Sequence, residues 1–426
     1  MPSSATTSTR ARHILVFEPD ERGHAEEWIL HIVRFLRDER PNIRVTMAIP
    51  QSLARRLAAE MPSRETLAIV PLSQSELRGC LNANLAFSAF ARWWAMRRHL
   101  ARSGADEALF LCIDPLSLPF ALGLGLGGRT ASGILFRPSV HYASFGRTPP
   151  TLGERLRDRR KRILYPLMLK NSTVRQVHSL DPYFPAFARE SYVAGDKVLA
   201  LDDPLAGESE TPGPSVRSPR FPRDRIAFLL FGELTERKGV LQLLHACERL
   251  DPEIASRTAV LLAGRIDPPI EDEVRDLVRA IRAVQPDLWL EVDDRRLSFA
   301  ELTVAVQGCD VVMAPYQRFV GSSGVLIWAA RACRPVLTQR YGLLCRLVRD
   351  YGLGVTADTT SPDALAGAIE HAVRIGPRTL IDQARARQFV ANRDGRHFAS
   401  QLLNVREAER DHAAVTPARA RRANAS

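Results

Sequence analysis

The sequence is poor in cysteine. Six cysteines occur among 426 residues, and no two of them form a CxxC pair. A disulfide framework or a structural zinc site would need closer and more regular spacing. We therefore expect free thiols and a reducing compartment. The six residues are Cys80, Cys112, Cys247, Cys309, Cys333 and Cys345.

Long hydrophobic runs are also missing. The longest uncharged stretch, Pro115 to Gly128, is interrupted by proline and glycines and is too short to span a bilayer. Residues Met1 to Arg12 are rich in Ser and Thr and lack the apolar segment of a secretory signal. These features predict a cytoplasmic protein, and they leave a peripheral position at the inner face of the membrane open.

Lysine is scarce, and the positive charge is unevenly placed. The formal net charge is +11, and residues 137–175 carry ten Lys and Arg against Glu154 and Asp158. Within this region, 153–170 combines a dense cationic run with apolar residues and is a candidate for contact with an anionic membrane surface. In the alternative, the apolar residues are core and the arginines are solvated. No nucleic-acid recognition module is visible, and we expect no such partner.

Strands and helices alternate in the first half of the chain. The run at 13–19 is short, apolar and closed by turn residues, as a buried parallel strand should be. A helical pattern over 23–39 follows it. This alternation favours a parallel sheet covered on both faces. Further strands are predicted at 44–50, 67–72, 108–114 and 133–139.

The same alternation restarts after residues 203–224, which are rich in Pro, Gly and Ser and are typical of a linker. The chain has 426 residues, which is long enough for two such domains. Its 45% hydrophobic and 25% charged residues are ordinary for a globular protein. The predicted fold class is α/β, with two doubly wound, Rossmann-like domains that face a cleft. The second series of strands is predicted at 225–234, 258–266, 288–294, 310–316, 334–339 and 354–358.

These patterns predict six segments along the chain. They are a disordered N-terminus (1–12), an N-terminal Rossmann-like domain (13–202), the linker (203–224), a C-terminal Rossmann-like domain (225–378), a helical segment (379–412) and a disordered tail (413–426).

The segment FGELTERKGV, 231–240, is the most informative. A strand ends, Gly232 turns the chain, and Arg237 and Lys238 fall at the start of a helix. Two cations beside free backbone N–H groups can bind a diphosphate. In the alternative, this is a solvated helix start with ordinary charges.

The segment PYQRFVGSSGV, 315–325, is the second candidate. Small residues at Gly321, Ser322, Ser323 and Gly324 follow a predicted strand and precede an apolar helix. Small residues let the backbone approach an anion, and serine hydroxyls can donate to phosphate. A plain helix N-cap is the alternative.

Taken in order, FGELTERKG, LLAGRI, DVVMAPY and GSSGVL…RPVL resemble the C-terminal domain of glycosyltransferases with the GT-B fold, particularly retaining family 4. The resemblance is clear over about 225–358 and weaker over 13–202. It implies that Arg237 and Lys238 contact the donor diphosphate. It also implies donor-binding positions at Gly232, Gly264, Gly321, Ser322, Ser323, Gly324 and Val325.

The sequence departs from the family at two positions. The family usually has a glutamate just before the glycine turn and another eight residues later, and here these positions hold Val320 and Trp328. In the family, the first glutamate lies near the donor sugar and the second holds the nucleotide ribose. The departure supports the alternative of a non-catalytic GT-B binding or scaffold protein.

The resemblance also implies roles in the first half of the chain. His141 lies near the place of a family histidine close to the donor sugar, and the matching first turn holds Gly23 and His24 on the acceptor side. Asp114, at the end of a predicted strand, either binds acceptor hydroxyls or caps a helix. A solvated or structural role for each histidine is the alternative.

The expected function is therefore glycosyl transfer from a nucleotide-sugar to a glycan, lipid-linked or small-molecule acceptor, with retention. The resemblance implies that the helical segment 379–412 packs back on an acceptor-binding N-terminal domain. The sequence shows no His/carboxylate cluster, so we expect no metal, and the nucleotide-sugar is a substrate rather than a cofactor.

Overall fold

The computed structural model describes residues 11–21, 24–60, 66–146, 150–205, 221–321 and 323–405. The contacts divide the chain into two compact units. The first contains the described residues of 1–138, 160–204 and 395–426, and the second those of 139–159 and 205–394. Residues 139–159, which the sequence assigned to the first domain, thus group with the second unit.

The first unit is built on a seven-stranded parallel sheet in the order β3-β2-β1-β4-β5-β6-β7. Its strands are β1 (Arg12–Phe17), β2 (Ile43–Ile49), β3 (Leu67–Pro71), β4 (Glu107–Phe110), β5 (Thr130–Leu135), β6 (Val174–Ser179) and β7 (Val198–Ala200). The helices are α1 (Ala25–Glu39), α2 (Gln51–Leu57), α3 (Gln74–Cys80), α4 (Leu85–Ser103), α5 (Ser117–Ala121), α6 (Leu152–Lys170), which begins in the second unit, and α7 (Phe184–Ser191).

The second unit contains a six-stranded parallel sheet in the order β10-β9-β8-β11-β12-β13. Its strands are β8 (Ile226–Phe231), β9 (Thr258–Ala263), β10 (Trp289–Asp293), β11 (Val311–Ala314), β12 (Val336–Gln339) and β13 (Gly354–Ala357). The helices are α8 (Val240–Glu248), α9 (Pro252–Ser256), α10 (Glu271–Val284), α11 (Phe299–Gly308), α12 (Gly324–Arg331), α13 (Gly342–Asp350), α14 (Pro362–Ile375) and α15 (Gln383–Val390).

The predicted pair of Rossmann-like domains is confirmed. All six strands predicted for the second half form. The four inner strands β8, β9, β11 and β12 are largely buried, as short apolar runs in a parallel sheet should be, whereas the edge strands β10 and β13 are mostly part-exposed. In the first half, the predicted strand 133–139 ends at Leu135, where Phe136 and the following residues turn away from the sheet. Two further strands, β6 and β7, complete that sheet.

The last described helix, α16 (Gly395–Leu402), packs on α1 in the first unit. Phe398 is fully buried, and its ring centroid lies 5.5 Å from that of Trp28. Gly395 permits this approach, since a Cβ atom at that position would stand 1.8 Å from Nδ1 of His31. Helix α16 is thereby part of the core of the first unit.

No helix within the described ranges is long and apolar enough to cross a bilayer. All six cysteines carry free thiols, and four of them are buried.

A buried carboxyl group follows β1 in the first unit. Glu18 is only 4% exposed, and its Oε1 accepts a hydrogen bond of 2.9 Å from the N–H of Asp20. Burial disfavours the charged carboxylate and raises the pKa of Glu18 to about 7. The sequence analysis missed this residue, although an acidic residue directly after a buried strand is a usable signal.

We expect Glu18→Gln to stabilise the protein above pH 7. The folded state keeps the Glu18 proton up to about pH 7, whereas the unfolded chain loses it near pH 4.5, so the free energy of unfolding falls between these values. The loss amounts to about 3 kcal/mol, and glutamine removes it. Urea unfolding at pH 5 and pH 8 measures the effect, with exposed Glu273→Gln as the control. An equal stability difference at both pH values would contradict the expectation.

Candidate functional site

The candidate site lies in the second unit, where the strand order reverses. Strands β8 and β11 are adjacent in the sheet, although they are separated in sequence by β9 and β10. In open parallel sheets, ligands bind beyond the carboxyl ends of the strands at such a switch point. Here those ends are Phe231 of β8 and Ala314 of β11. The two candidate segments from the sequence, 231–240 and 315–325, lie at these ends.

Two glycines shape the loop after β8. Gly232 and Gly239 have φ values of +89° and +75°, a region that side chains rarely adopt. A Cβ atom on Gly239 would stand 2.0 Å from the carbonyl oxygen of Pro315, in the loop after β11. The two loops can therefore pack against each other only with glycine at 239.

Lys238 is held back against the end of its own strand. Its Nζ donates a hydrogen bond of 2.8 Å to the carbonyl oxygen of Phe231. A Cβ atom at Gly232 would stand 2.6 Å from that Nζ, so a side chain there would displace the end of the lysine, and the φ of +89° itself favours glycine. Burial and the neighbouring charge of Arg237 lower the pKa of Lys238 to about 8. The ammonium is thus poorly solvated and is favoured to pair with an anion.

Arg237 is exposed and lies over aromatic rings of the second loop. Its guanidinium carbon is 5.1 Å from the ring centroid of Phe319 and 5.8 Å from that of Tyr316. The Arg237 carbonyl oxygen accepts a hydrogen bond of 2.8 Å from the N–H of Gln317. Backbone and side chain therefore both tie Arg237 to the loop after β11. Arg237 and Lys238 together present two cations, which we call the cation pair.

The glycine-rich turn begins α12. Ser323 Oγ accepts a hydrogen bond of 3.4 Å from the N–H of Val325 and lies 2.8 Å from the hydroxyl oxygen of Tyr316. Ser323 thus acts as an N-cap, as the sequence alternative had it, and Val325 is buried. Gly321 is also buried, and Gly324 is the first residue of α12. Ser322 lies outside the described residues.

Gly264 lies at the end of β9 and allows close backbone packing. A Cβ atom there would stand 1.8 Å from the carbonyl oxygen of Gly232. Its N–H donates a hydrogen bond of 2.9 Å to the carbonyl oxygen of Asp293. In the described structure, then, Gly264 fixes the position of the Gly232 turn. Its predicted contact with a donor stays a prediction.

The two positions that depart from the family pattern have distinct surroundings. The Val320 carbonyl oxygen accepts a hydrogen bond of 3.0 Å from the N–H of Leu343. The ring centroid of Trp328 lies 4.7 Å from that of Phe299 and 6.4 Å from that of Phe231. Trp328 therefore stands in an aromatic cluster, whereas Val320 is tied to the start of α13 by its backbone.

His141 lies in the 3-10 segment Ser139–Phe145, which belongs to the second unit. Its side chain is buried, and its ring centroid lies 4.9 Å from that of Tyr142 and 5.1 Å from that of Phe145. This segment contacts α13, and the Gly146 carbonyl oxygen accepts a hydrogen bond from the N–H of Gly342. His141 therefore belongs to the same unit as the cation pair.

The acceptor-side candidates lie in the first unit. His24 precedes α1, and its ring stacks on that of Trp28 at 5.5 Å. Its Nδ1 lies 3.9 Å from Oε2 of Glu27, which raises the pKa of the imidazole. Gly23 lies outside the described residues.

Asp114 follows β4, and both of its carboxylate oxygens accept hydrogen bonds. Oδ2 accepts from the N–H of Phe136 at 2.8 Å, and Oδ1 accepts from the hydroxyl of Tyr165 at 2.7 Å. The carboxylate thus joins the end of β5 to helix α6. Binding of acceptor hydroxyls by Asp114 stays a prediction.

The sequence analysis missed Tyr316, Phe319 and Gly239. The signal for the first two was present, since aromatic residues directly after an apolar strand lie at the carboxyl edge of a sheet. The requirement for Gly239 arises from its positive φ and from its contact with Pro315, which only the folded structure reveals. Within the described ranges, no group of three His, Cys, Asp or Glu residues is arranged to hold a metal ion.

Comparison with known proteins gives a family match over part of the chain. Residues 225–375 match the family model described as Glycosyl transferases group 1. This confirms the resemblance of the second half to glycosyltransferases, whereas membership of retaining family 4 stays a prediction. No curated protein sequence matches the chain.

The fold is shared with solved structures at low sequence identity. A glycosyltransferase from Rickettsia africae ESF-5 is 14% identical, with a TM-score of 0.62 over 95% of this chain and 99% of that one. Sucrose-phosphate synthase from Thermosynechococcus elongatus is 16% identical, with a TM-score of 0.64 over 95% and 100%. HepE from Anabaena, solved in complex with UDP, is 14% identical, with a TM-score of 0.59 over 92% and 98%. The predicted GT-B fold is confirmed.

We expect the affinity for a nucleoside diphosphate such as UDP to fall as the pH rises through about 8. Lys238 is charged below that pH and loses its proton above it, and a neutral amine gives up its attraction for phosphate. The dissociation constant should increase up to about tenfold per pH unit above 8. Isothermal titration calorimetry between pH 6.5 and 9.5 measures it.

Lys238→Met is the matched variant for this titration. It should bind the diphosphate weakly and without the step near pH 8. If the dissociation constants of the wild-type protein and the variant changed with pH in the same way between pH 6.5 and 9.5, Lys238 would not contact the ligand.

Proposed function

We propose that this chain, whose residues 225–375 form a group 1 glycosyltransferase domain within a GT-B fold, transfers a sugar from a nucleotide-diphosphate donor. The acceptor is a glycan, a lipid-linked molecule or a small molecule, and transfer proceeds with retention. The observation that carries the proposal is the cation pair at the switch point of the second sheet. Arg237 and Lys238 stand at the loop where such folds bind ligands, and Lys238 is poorly solvated.

The chemistry asks mainly for stabilisation of the leaving group. The bond between the anomeric carbon and the β-phosphate oxygen breaks, and its electron pair stays on the diphosphate. The acceptor oxygen bonds to the same face of the sugar, and its proton passes to the departing phosphate. Lys238 and Arg237 neutralise the charge that develops on that phosphate, which is the role that a metal ion serves in other phosphate chemistry.

The remaining candidates take supporting roles in this proposal. His141 lies near the donor sugar, and the backbone turn from Gly321 to Val325 lies beside the diphosphate. Gly23, His24 and Asp114 are proposed on the acceptor side. The raised pKa of His24 keeps its imidazolium charged to higher pH and suits it to a hydroxyl or an anionic group of the acceptor.

A specific observation favours a second candidate function, that of a non-catalytic binding protein. Val320 and Trp328 stand where the family usually has glutamates, and Trp328 is engaged with Phe299 and Phe231. A protein of this kind would bind a nucleotide-sugar without turning it over.

We also propose that α6 contacts an anionic membrane surface. Four exposed apolar residues of this helix lie within about 60° on one face, at about 100° per residue. Arg159 and Arg160 flank this stripe, and a cationic helix with an exposed apolar face is suited to a bilayer interface. The residues of the stripe are Leu152, Leu156, Ile163 and Leu167.

A donor screen tests the proposed function. We expect at least one member of a panel of UDP-, GDP-, ADP- and dTDP-sugars to raise the melting temperature and to be hydrolysed slowly. Arg237→Ala and Lys238→Ala should each lower hydrolysis about 100-fold, since each removes a cation from the leaving group. Thermal shift and nucleotide release are the measurements.

Lys197→Ala is the control for this screen. Lys197 also donates to backbone carbonyl oxygens, those of Leu169 and Asn171, but it lies in the first unit. Hydrolysis equal to wild type is expected. Stabilisation by a donor without turnover would favour the non-catalytic protein, and no stabilisation by any donor would reject nucleotide-sugar binding.

Vesicle sedimentation tests the α6 surface. We expect the protein to bind vesicles that contain about a third anionic lipid and not vesicles of neutral lipid, because the cations attract the surface charge. Leu156→Ser combined with Ile163→Ser should weaken binding about tenfold or more, because two apolar side chains are lost. Leu122→Ser, at an exposed leucine of the first unit, is the control. Equal binding by the double variant would rule out the stripe.

A further inference from the structure

Three aromatic rings form a surface beside the cation pair. They are Phe231 at the end of β8, Phe299 at the start of α11 and Trp328 in the middle of α12. The ring centroids of Phe299 and Trp328 lie 4.7 Å apart with the planes at 46°, and Trp328 meets Phe231 edge-on at 6.4 Å. Phe231 is buried, whereas Phe299 and Trp328 are each partly open to solvent.

This surface adjoins the proposed diphosphate site through one residue. The Phe231 side chain contacts Trp328, and its carbonyl oxygen accepts the hydrogen bond from Lys238 Nζ. A ligand whose phosphates meet the ammonium of Lys238 therefore has its next group close to the aromatic surface. In a nucleotide-sugar, one neighbour of the diphosphate is the sugar and the other is the nucleoside.

Carboxylates near Phe299 are already engaged within the protein. Asp293 and Glu301 both pair with Arg295, at 2.9 Å and 2.8 Å. Glu301 also completes the capping box of α11 by accepting from the N–H of Ser298. These two carboxylates are thus engaged in ion pairs and a helix cap, whereas the rings of Phe299 and Trp328 are partly exposed to solvent.

We infer that the Trp328–Phe299 surface holds the nucleoside of the donor by ring contact, so that the site accepts nucleoside diphosphates with or without a ribose 2′-hydroxyl. This inference rests on the proposed function. A site built to hydrogen-bond a hydroxyl rejects the analogue that lacks it very strongly, because buried polar groups are left unpaired. An apolar surface discriminates weakly, because no protein group loses a partner when the hydroxyl is absent.

Calorimetric binding to the full chain tests the inference. The probes are the pairs UDP and dUDP, GDP and dGDP, and ADP and dADP, together with inorganic pyrophosphate. For the base that binds best, we expect the ribo and deoxy forms to differ by no more than about threefold. We expect Trp328→Leu to weaken both forms about tenfold, since one stacking contact is lost. Its affinity for pyrophosphate should stay unchanged.

Two variants accompany this measurement. Trp328→Phe preserves a ring and should keep the nucleotide affinity within about threefold of wild type. Trp289→Leu changes a tryptophan of the same unit that packs on Phe221, and it should leave every affinity unchanged.

Several outcomes would overturn the inference. One is a preference of the wild-type protein for the ribo form above about 30-fold, which is the mark of a hydrogen-bonded hydroxyl. Another is a loss of pyrophosphate affinity in Trp328→Leu as large as the loss of nucleotide affinity. A third is an affinity for pyrophosphate equal to that for every nucleotide. That result would support the diphosphate site but would show that the nucleoside makes no stabilising contact. If neither pyrophosphate nor any nucleotide binds, the proposed function fails as well.

Discussion

The side chain of Lys238 reaches back over Gly232 to the carbonyl oxygen of Phe231, and a Cβ atom at 232 would stand 2.6 Å from its Nζ. This contact places an ammonium at the end of β8, where it is only partly exposed to solvent. The loop after β11 is then held against the same segment by Gly239, whose missing Cβ admits the carbonyl oxygen of Pro315. Two backbone turns and one partly buried ammonium therefore hold the switch point of the second sheet together.

The charge arrangement explains why such a site is suited to a diphosphate. Burial and the charge of Arg237 both disfavour the charged form of Lys238. The negative charge of a bound phosphate would favour that form and so offset both effects. Arg237 stays exposed over the rings of Tyr316 and Phe319, which restrict the directions available to its guanidinium. Lys238 is thus a partly buried cation, and Arg237 is an exposed cation whose orientation is restricted by two rings. Both favour an anion at the same loop.

Much of this could be predicted from the sequence, because the signals are local. The strands of the second sheet are short, mostly apolar runs bounded by turn residues, and the cations of the RKG segment lie in the loop after the first of them. The strands β6 and β7 were missed because VRQVHS mixes polar with apolar residues and VLA has only three residues. The grouping of 139–159 with the second unit also has no local signal, since it depends on contacts with distant residues such as the ion pair of Glu154 and Arg318.

The sequence by itself determined the two Rossmann-like domains, the position of the cation pair and the loss of the usual glutamates at 320 and 328. Periodicity and the residues that follow each strand carry that information. Only the tertiary structure decided what surrounds those residues. It showed that Asp114 uses both carboxylate oxygens within the protein and that Trp328 joins Phe299 in an aromatic surface. These contacts join residues that lie up to 51 positions apart in the chain, so no sequence window contains them.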